Sequence, residues 1–223
     1  MSKKSRTYAV LGLGIFGSTI AKNLSNYGLD VIAIDNDMTQ VDRINDYVAH
    51  AVCLNIADME QLKAVGMEDV DCAVVATGSK LEDSIMCIMN LKELGVKRII
   101  AKAKNRKYSE VLLKIGANEV VLPEKEIGRR VAKRLVSPDI IDLFDIDSEN
   151  SIVEIHVLER WVGHTLMQLD LRNNFGINVI GIRKDNKLTL TVDPNVVIEA
   201  NDELIIACRN DLFVRFSEFE RVI

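Results

Sequence analysis

The feature that most constrains the fold is the stretch VLGLGIFGSTIAKNL, running from Val10 to Leu24. Gly12, Gly14 and Gly17 form a GxGxxG pattern between an apolar strand-like run and an amphipathic helical run. That context is what makes the pattern informative. The first glycine permits a tight turn, the second lets a phosphate approach the backbone, and the third lets helix and strand pack closely. The helix N-terminus then offers amide donors and a partial positive charge to an anion. Eighteen residues beyond Gly17, at the end of the next apolar run, stands Asp35, suited to accept from ribose hydroxyls. Strand, glycines, helix and acid together predict a bound adenine nucleotide.

The rest of the chain fits this opening. Short runs apolar on both faces recur at 8–11, 31–34, 51–54, 73–76, 98–101 and 119–122. Helical patterns at 18–27, 40–46, 59–64, 81–94 and 108–114 separate them. Alternation of this kind predicts an α/β fold, a doubly wound parallel sheet of Rossmann type covered by helices on each side. A Lys- and Arg-rich helix follows at 124–136, and Ile140, Ile141, Leu143 and Phe144 continue at helical spacing, so a helical crossover connector is expected up to a break at 147–150. From Ser151 the text is rich in strands and turns, with a hairpin turn at 184–187 and a closing helix at 211–219. The expected domains are 1–136, nucleotide-binding and including the start of the crossover helix, and 137–223, the connector with a small α+β domain. An apolar stripe on a connector leading away from a finished sheet points to dimerisation.

Composition narrows the function. A net charge of −5 and an aromatic content of 5% argue against nucleic-acid binding, for want of a basic face and of stacking platforms. No apolar run approaches the roughly 20 residues of a membrane span, and no signal peptide is read at the N-terminus, so a cytoplasmic protein without membrane insertion is expected. Cys53, Cys72, Cys87 and Cys208 are dispersed, and read as reduced thiols, mostly in the core. His50, His156 and His164 stand in no recognisable dehydrogenase constellation. A hydride-transfer enzyme is then the lesser reading.

The motifs GLGIFGSTIAKNL, VIAIDND, HAVCLNIAD, CAVVATG, AKAKN, VVLPEKEIG and DLRNNFGINVIGI resemble the cytosolic regulatory subunits of the Ktr/Trk potassium-uptake systems, the RCK proteins. The likeness covers nearly the whole chain. It implies a non-enzymatic gate that binds ATP or ADP, with NAD or NADH as further candidates. Such subunits pair, commonly assemble into an octameric ring, and dock beneath a membrane-embedded potassium channel subunit.

Carried over by residue, the resemblance implies that Gly12, Gly14, Ile15, Phe16 and Gly17 hold phosphates, with Asp35 and Asn36 at the ribose. Asn55 and Ile56 would lie by the base or sugar, Thr77 and Gly78 would close the pocket, and Lys102 would reach phosphate oxygens. Glu124 would help hold a divalent cation near the phosphates at a dimer interface. In the small domain, Leu166, Asp170, Leu171, Arg172, Asn173, Asn178, Val179 and Pro194 match positions that bind cyclic di-AMP. Two departures stand out. Asn173 takes the place of a small residue, and Ile15 stands where related subunits often carry arginine. Discrimination of ATP from ADP should then be weaker, unless Lys102, Lys104 or Arg106 replaces the missing cation. Two other readings share the nucleotide fold: a small NAD(P)-dependent oxidoreductase, which would turn over a substrate, and an NADH-sensing module, which would bind NADH selectively.

Overall fold

The computed structural model describes residues 6–77, 80–136 and 139–212. It divides into two compact units, Met1–Lys125 and Glu126–Ile223, so the division falls inside the basic helix.

In the first unit six parallel strands lie in the order β3-β2-β1-β4-β5-β6: β1 Thr7–Leu11, β2 Asp30–Asp35, β3 His50–Cys53, β4 Cys72–Val75, β5 Arg98–Lys102 and β6 Glu119–Val121. That is the doubly wound order with its switch point between β1 and β4. The helices are α1 Ile15–Asn26, α2 Met38–Ile44, α3 Met59–Ala64, α4 Leu81–Glu93, α5 Arg106–Ile115 and α6 Pro123–Val136. Cores form on both faces of the sheet. Leu11, Ile34, Val75 and Ile99 pack with Leu62, Ile88 and Leu91 on one side, and Val10, Val31 and Val74 with Ala21 and Ile44 on the other. Burial on both faces is why these strands read as unbroken apolar runs.

Caps set the helix starts. Asp58 accepts from the Glu60 and Gln61 amides, and Asn105 from the Tyr108 amide, each worth about 1 kcal/mol. At the other end, α1 and α4 stop at Gly28 and Gly95, with φ of 76° and 82°.

The second unit is an antiparallel sheet in the order β10-β9-β11-β8-β7: β7 Ile140–Asp145, β8 Asn150–His156, β9 Asn178–Lys184, β10 Lys187–Thr189 and β11 Glu203–Arg209. Two short helices, α7 Leu166–Leu169 and α8 Leu171–Phe175, precede β9. Trp161, Ile155, Ile198, Leu204 and Ile206 fill its core. Asp185 and Asn186 carry φ of 49° and 62°, the two left-handed positions of a tight hairpin, so the expected turn stands. The expected closing helix lies almost entirely outside the described residues.

One expectation is corrected. Ile140–Asp145 is strand β7, and 147–150 is the β7–β8 turn, in which the Asp147 carboxylate accepts from the Glu149 and Asn150 amides. A register shift between Ile140 and Asp142 is the cause. Ile140 pairs with Ile155 and Leu143 with Val153, so residues three apart face one core across partners two apart. The bulge imitates a helical spacing.

β7 is also tied to α6. Arg129 and Lys133 pair with Asp145, and Arg130 with Asp142 at 2.6 Å. Asp145 loses solvent on burial, but hydrogen bonds from Lys133 and Ser151 and the charges of Lys133 and Arg129 hold its carboxyl below the usual range. For Asp142 the Arg130 hydrogen bond does the same. A depressed carboxyl stabilises the fold above its unfolded pKa of about 3.9, and that contribution is lost as pH falls through the lower folded value. Melting temperature should therefore drop below about pH 4, and Asp145→Asn should remove roughly 1 kcal/mol of that pH-dependent part. A pH-stability curve identical in the variant contradicts this assignment.

Candidate functional site

The glycine turn lies at the switch point, where the Ala76 amide donates to the Leu11 carbonyl at 2.7 Å and brings the ends of β1 and β4 side by side. Gly12 has φ 98°, and a Cβ there would stand 2.9 Å from the Thr77 amide nitrogen. At Gly17 a Cβ would fall 1.8 Å from the Gly12 carbonyl oxygen. Both glycines are thus required by backbone approach. Gly14 differs: it is the N-cap of α1, and its Cβ would meet nothing within 4 Å. No side chain caps α1, and its first turn carries no acid. Among the described residues the leading amides of this twelve-residue helix thus have no side-chain acceptor, and its dipole no acid in the first turn.

Asp35 closes the turn from β2. Its Oδ2 accepts from the Leu13 amide at 2.6 Å and its Oδ1 from the Asp37 amide at 3.0 Å. A carboxylate has about four acceptor sites, so two remain for ribose hydroxyls. Asn36 is exposed beside it, and its carbonyl lies 3.6 Å from the Cys53 thiol. Asn55 is exposed after β3, where its amide oxygen accepts from the Ala57 amide. Ile56 is buried in the core, so its side chain is turned to packing. Thr77 shares a 2.8 Å hydrogen bond with Ser84. Gly78 lies outside the described residues.

Lys102, Glu124 and Phe16 come together although three elements supply them. Lys102 Nζ is 2.6 Å from Glu124 Oε1 and 5.7 Å from the centre of the Phe16 ring. The Lys102 hydrogen bond, and the Glu124 amide itself, hold the Glu124 carboxyl below the usual range. Glu124 is therefore charged at neutral pH, as a cation ligand must be. Among the described residues no three His, Cys, Asp or Glu side chains gather as a metal cluster.

Ile15 opens α1 and is 91% exposed. Of the cations nominated to replace an arginine there, Lys102 is held by Glu124, Lys104 lies 4.9 Å from the Tyr108 ring centre, and Arg106 pairs with Glu110. Sequence reading missed Lys22 and Arg43, which line a groove with Ile15. Helical spacing puts Ile15, Ser18 and Lys22 on one face, but nothing in the sequence sets that face against α2.

In the second unit, Leu166 and Asp170–Asn173 stand around the α7–α8 junction, and the Met167 amide donates to the Pro194 carbonyl at 2.9 Å. The Ile177 amide donates to the Leu171 carbonyl, which brings Asn178 and Val179 to the same corner. Leu171 is buried in the core, with Leu166 and Val179 packed against it. Asp170 has φ 43°, and its carboxylate accepts from the Asn173 amide group at 2.9 Å. Arg172 is exposed and has no ion-pair partner among the described residues. All eight nominated residues thus belong to one corner of the unit.

Of the cysteines, Cys72, Cys87 and Cys208 are buried and Cys53 is exposed. Burial and the nearby Asp211 charge push the Cys208 thiol up to about 11. His50 opens β3, an edge strand two strands from β1.

Comparison with known proteins places these units. Residues 8–123 match the TrkA-N domain and residues 151–218 the TrkA-C domain. The chain is 37% identical to Ktr system potassium uptake protein C of Bacillus subtilis (strain 168) over 201 residues, 90% of this chain and 91% of that protein. It is 31% identical to Ktr system potassium uptake protein A of the same organism, over 91% of each. In fold it matches the GsuK channel bound to NAD with TM-score 0.63 and 18% identity, across 97% of this chain and 39% of that longer one. Among the described residues no helix is long and apolar enough to cross a membrane.

Proposed function

The chain belongs to the TrkA-N/TrkA-C domain family, and from that premise we propose that it is the nucleotide-reading, regulatory subunit of a Ktr-type potassium-uptake system. The observation that carries this reading is the glycine turn: an uncapped twelve-residue helix at the switch point, open at Gly14 and flanked by Asp35. Adenine nucleotide is the ligand this chemistry suits, ATP and ADP first and NAD or NADH second. The nucleotide is a signal in this account. It binds two shapes of the assembly unequally and so biases a membrane-embedded channel subunit, which carries the potassium.

The subunit works on the cytoplasmic face of the membrane and pairs with itself. Ile127, Val131 and Leu135, at i, i+4 and i+8 of α6, are 53%, 38% and 80% exposed, an apolar stripe that supports pairing through this helix. Glu124, held charged by Lys102, is the residue this chain offers to a divalent cation, with nucleotide phosphates as the other ligands. An octameric ring is the assembly proposed.

The corner of the second unit is the proposed cyclic di-AMP site. Arg172 meets a phosphate, Asn178 a base edge, and Val179 and Pro194 the flat face of an adenine. Calorimetric titration with ATP, ADP, NAD, NADH and cyclic di-AMP tests both sites. ATP and ADP should bind one per chain, and cyclic di-AMP one per two chains. Charge-assisted hydrogen bonds are worth about 1.5–3 kcal/mol, so Arg172→Ala should weaken cyclic di-AMP at least about tenfold. Indifference to that change, or one cyclic di-AMP per chain, removes the second site. No adenine nucleotide bound at all removes the first.

A further inference from the structure

A groove of about 200 Å³ lies between α1 and α2, with Leu13 and Ile15 of the glycine turn at one end of its lining. Its walls carry two cations, Lys22 from α1 and Arg43 from α2, and among the described residues no acidic side chain lines it. Lys22 rests 3.8 Å from the Tyr47 ring centre, and among the described residues neither Lys22 nor Arg43 has an ion-pair partner. In a chain of net charge −5, two cations beside one cavity whose described lining holds no acid make it a place suited to an anion. A bound anion would be attracted by both.

We propose that this groove is a second anion site, which takes a small phosphate monoester on Lys22 and Arg43 and adjoins the nucleotide site at Ile15. Arg43 offers a planar fork of donors to phosphate oxygens, and Lys22 a compact charge. Ser18 and Gln40 add neutral hydrogen-bonding groups from the same two helices. Ile44 and the exposed Ile15 supply an apolar wall for the carbon part of the ligand. The volume is below the roughly 300 Å³ at which drug-sized pockets begin, so the ligand is smaller than a nucleotide. Ile15 is also the first residue of α1, whose leading amides are the ones proposed to meet the nucleotide phosphates. On the nucleotide reading above, occupancy of the groove therefore opposes nucleotide binding through like charge.

The test follows the Ile44 methyl and the Gln40 side-chain amide by NMR while inorganic phosphate is added, with chloride at matched ionic strength as control. Both signals should move to saturation with phosphate and stay still with chloride. In the double variant Lys22→Gln/Arg43→Gln, with an unchanged melting curve, phosphate affinity should fall at least about tenfold. No response, an equal response to chloride, or an unchanged affinity in the double variant overturns the site. A parallel ADP titration separates the two readings. If ADP fails to bind while phosphate still does, the groove stands and the nucleotide assignment falls.

Discussion

Gly14→Asp should abolish adenine-nucleotide binding and leave the protein at least as stable as before. A Cβ at this position meets open space, and the backbone, at φ −60° and ψ −175°, suits any residue. Gly14 is the N-cap of α1, a place where aspartate is among the preferred residues. The new carboxylate would accept from the first-turn amides and complement the helix dipole, gaining up to about 1 kcal/mol. In doing so it fills the space a phosphate would take, with charge of the same sign. Loss of affinity for ATP and ADP should exceed about a hundredfold, the worth of two charge-assisted hydrogen bonds. Calorimetry and thermal melts on the same samples decide it. A stable variant with wild-type affinity would move the nucleotide elsewhere.

Gly17→Ala should do the reverse, damaging the fold. By helix propensity alone, alanine inside α1 should stabilise by about 1 kcal/mol. Here its methyl would fall 1.8 Å from the Gly12 carbonyl oxygen and 3.0 Å from the Ala76 methyl. The first neighbour is backbone in the turn itself, which cannot swing aside as a long side chain can. Either α1 lifts from β1 or the turn reshapes, at a cost of about 3 kcal/mol or more. Gly14→Ala is the control and should change stability by less than about 1 kcal/mol. Denaturant melts that find the two variants alike would mean that the close helix–strand approach is not real.

The parallel sheet was legible because strands buried on both faces leave short apolar runs, and these alternate with helical patterns six strands in a row. Asp35 and the three glycines were legible for a different reason, since their spacing is dictated by one strand, one turn and one helix. Where tertiary contact decides, sequence reading stopped short. Ile140 and Leu143 read as helical because a bulge places residues three apart on one face of β7. α1, α2 and α5 begin earlier than their apolar patterns do, at caps supplied by Gly14, Asp37 and Asn105. The two short helices at 166–175 hold too few turns for a period to show. Lys102 and Glu124 were both nominated, but their ion pair joins β5 to α6 and is visible only in the fold. Lys22 and Arg43 passed as ordinary surface cations because the groove they share exists only once α1 and α2 pack on the sheet.

The most direct test of the account is potassium flux through a Ktr-type channel subunit reconstituted in vesicles with this protein. Flux should depend on the protein and differ between ATP and ADP, and the Gly14→Asp variant should erase that difference while still associating with the channel. Flux that ignores the nucleotide in the wild type, or differs between ATP and ADP equally in the variant, would contradict it.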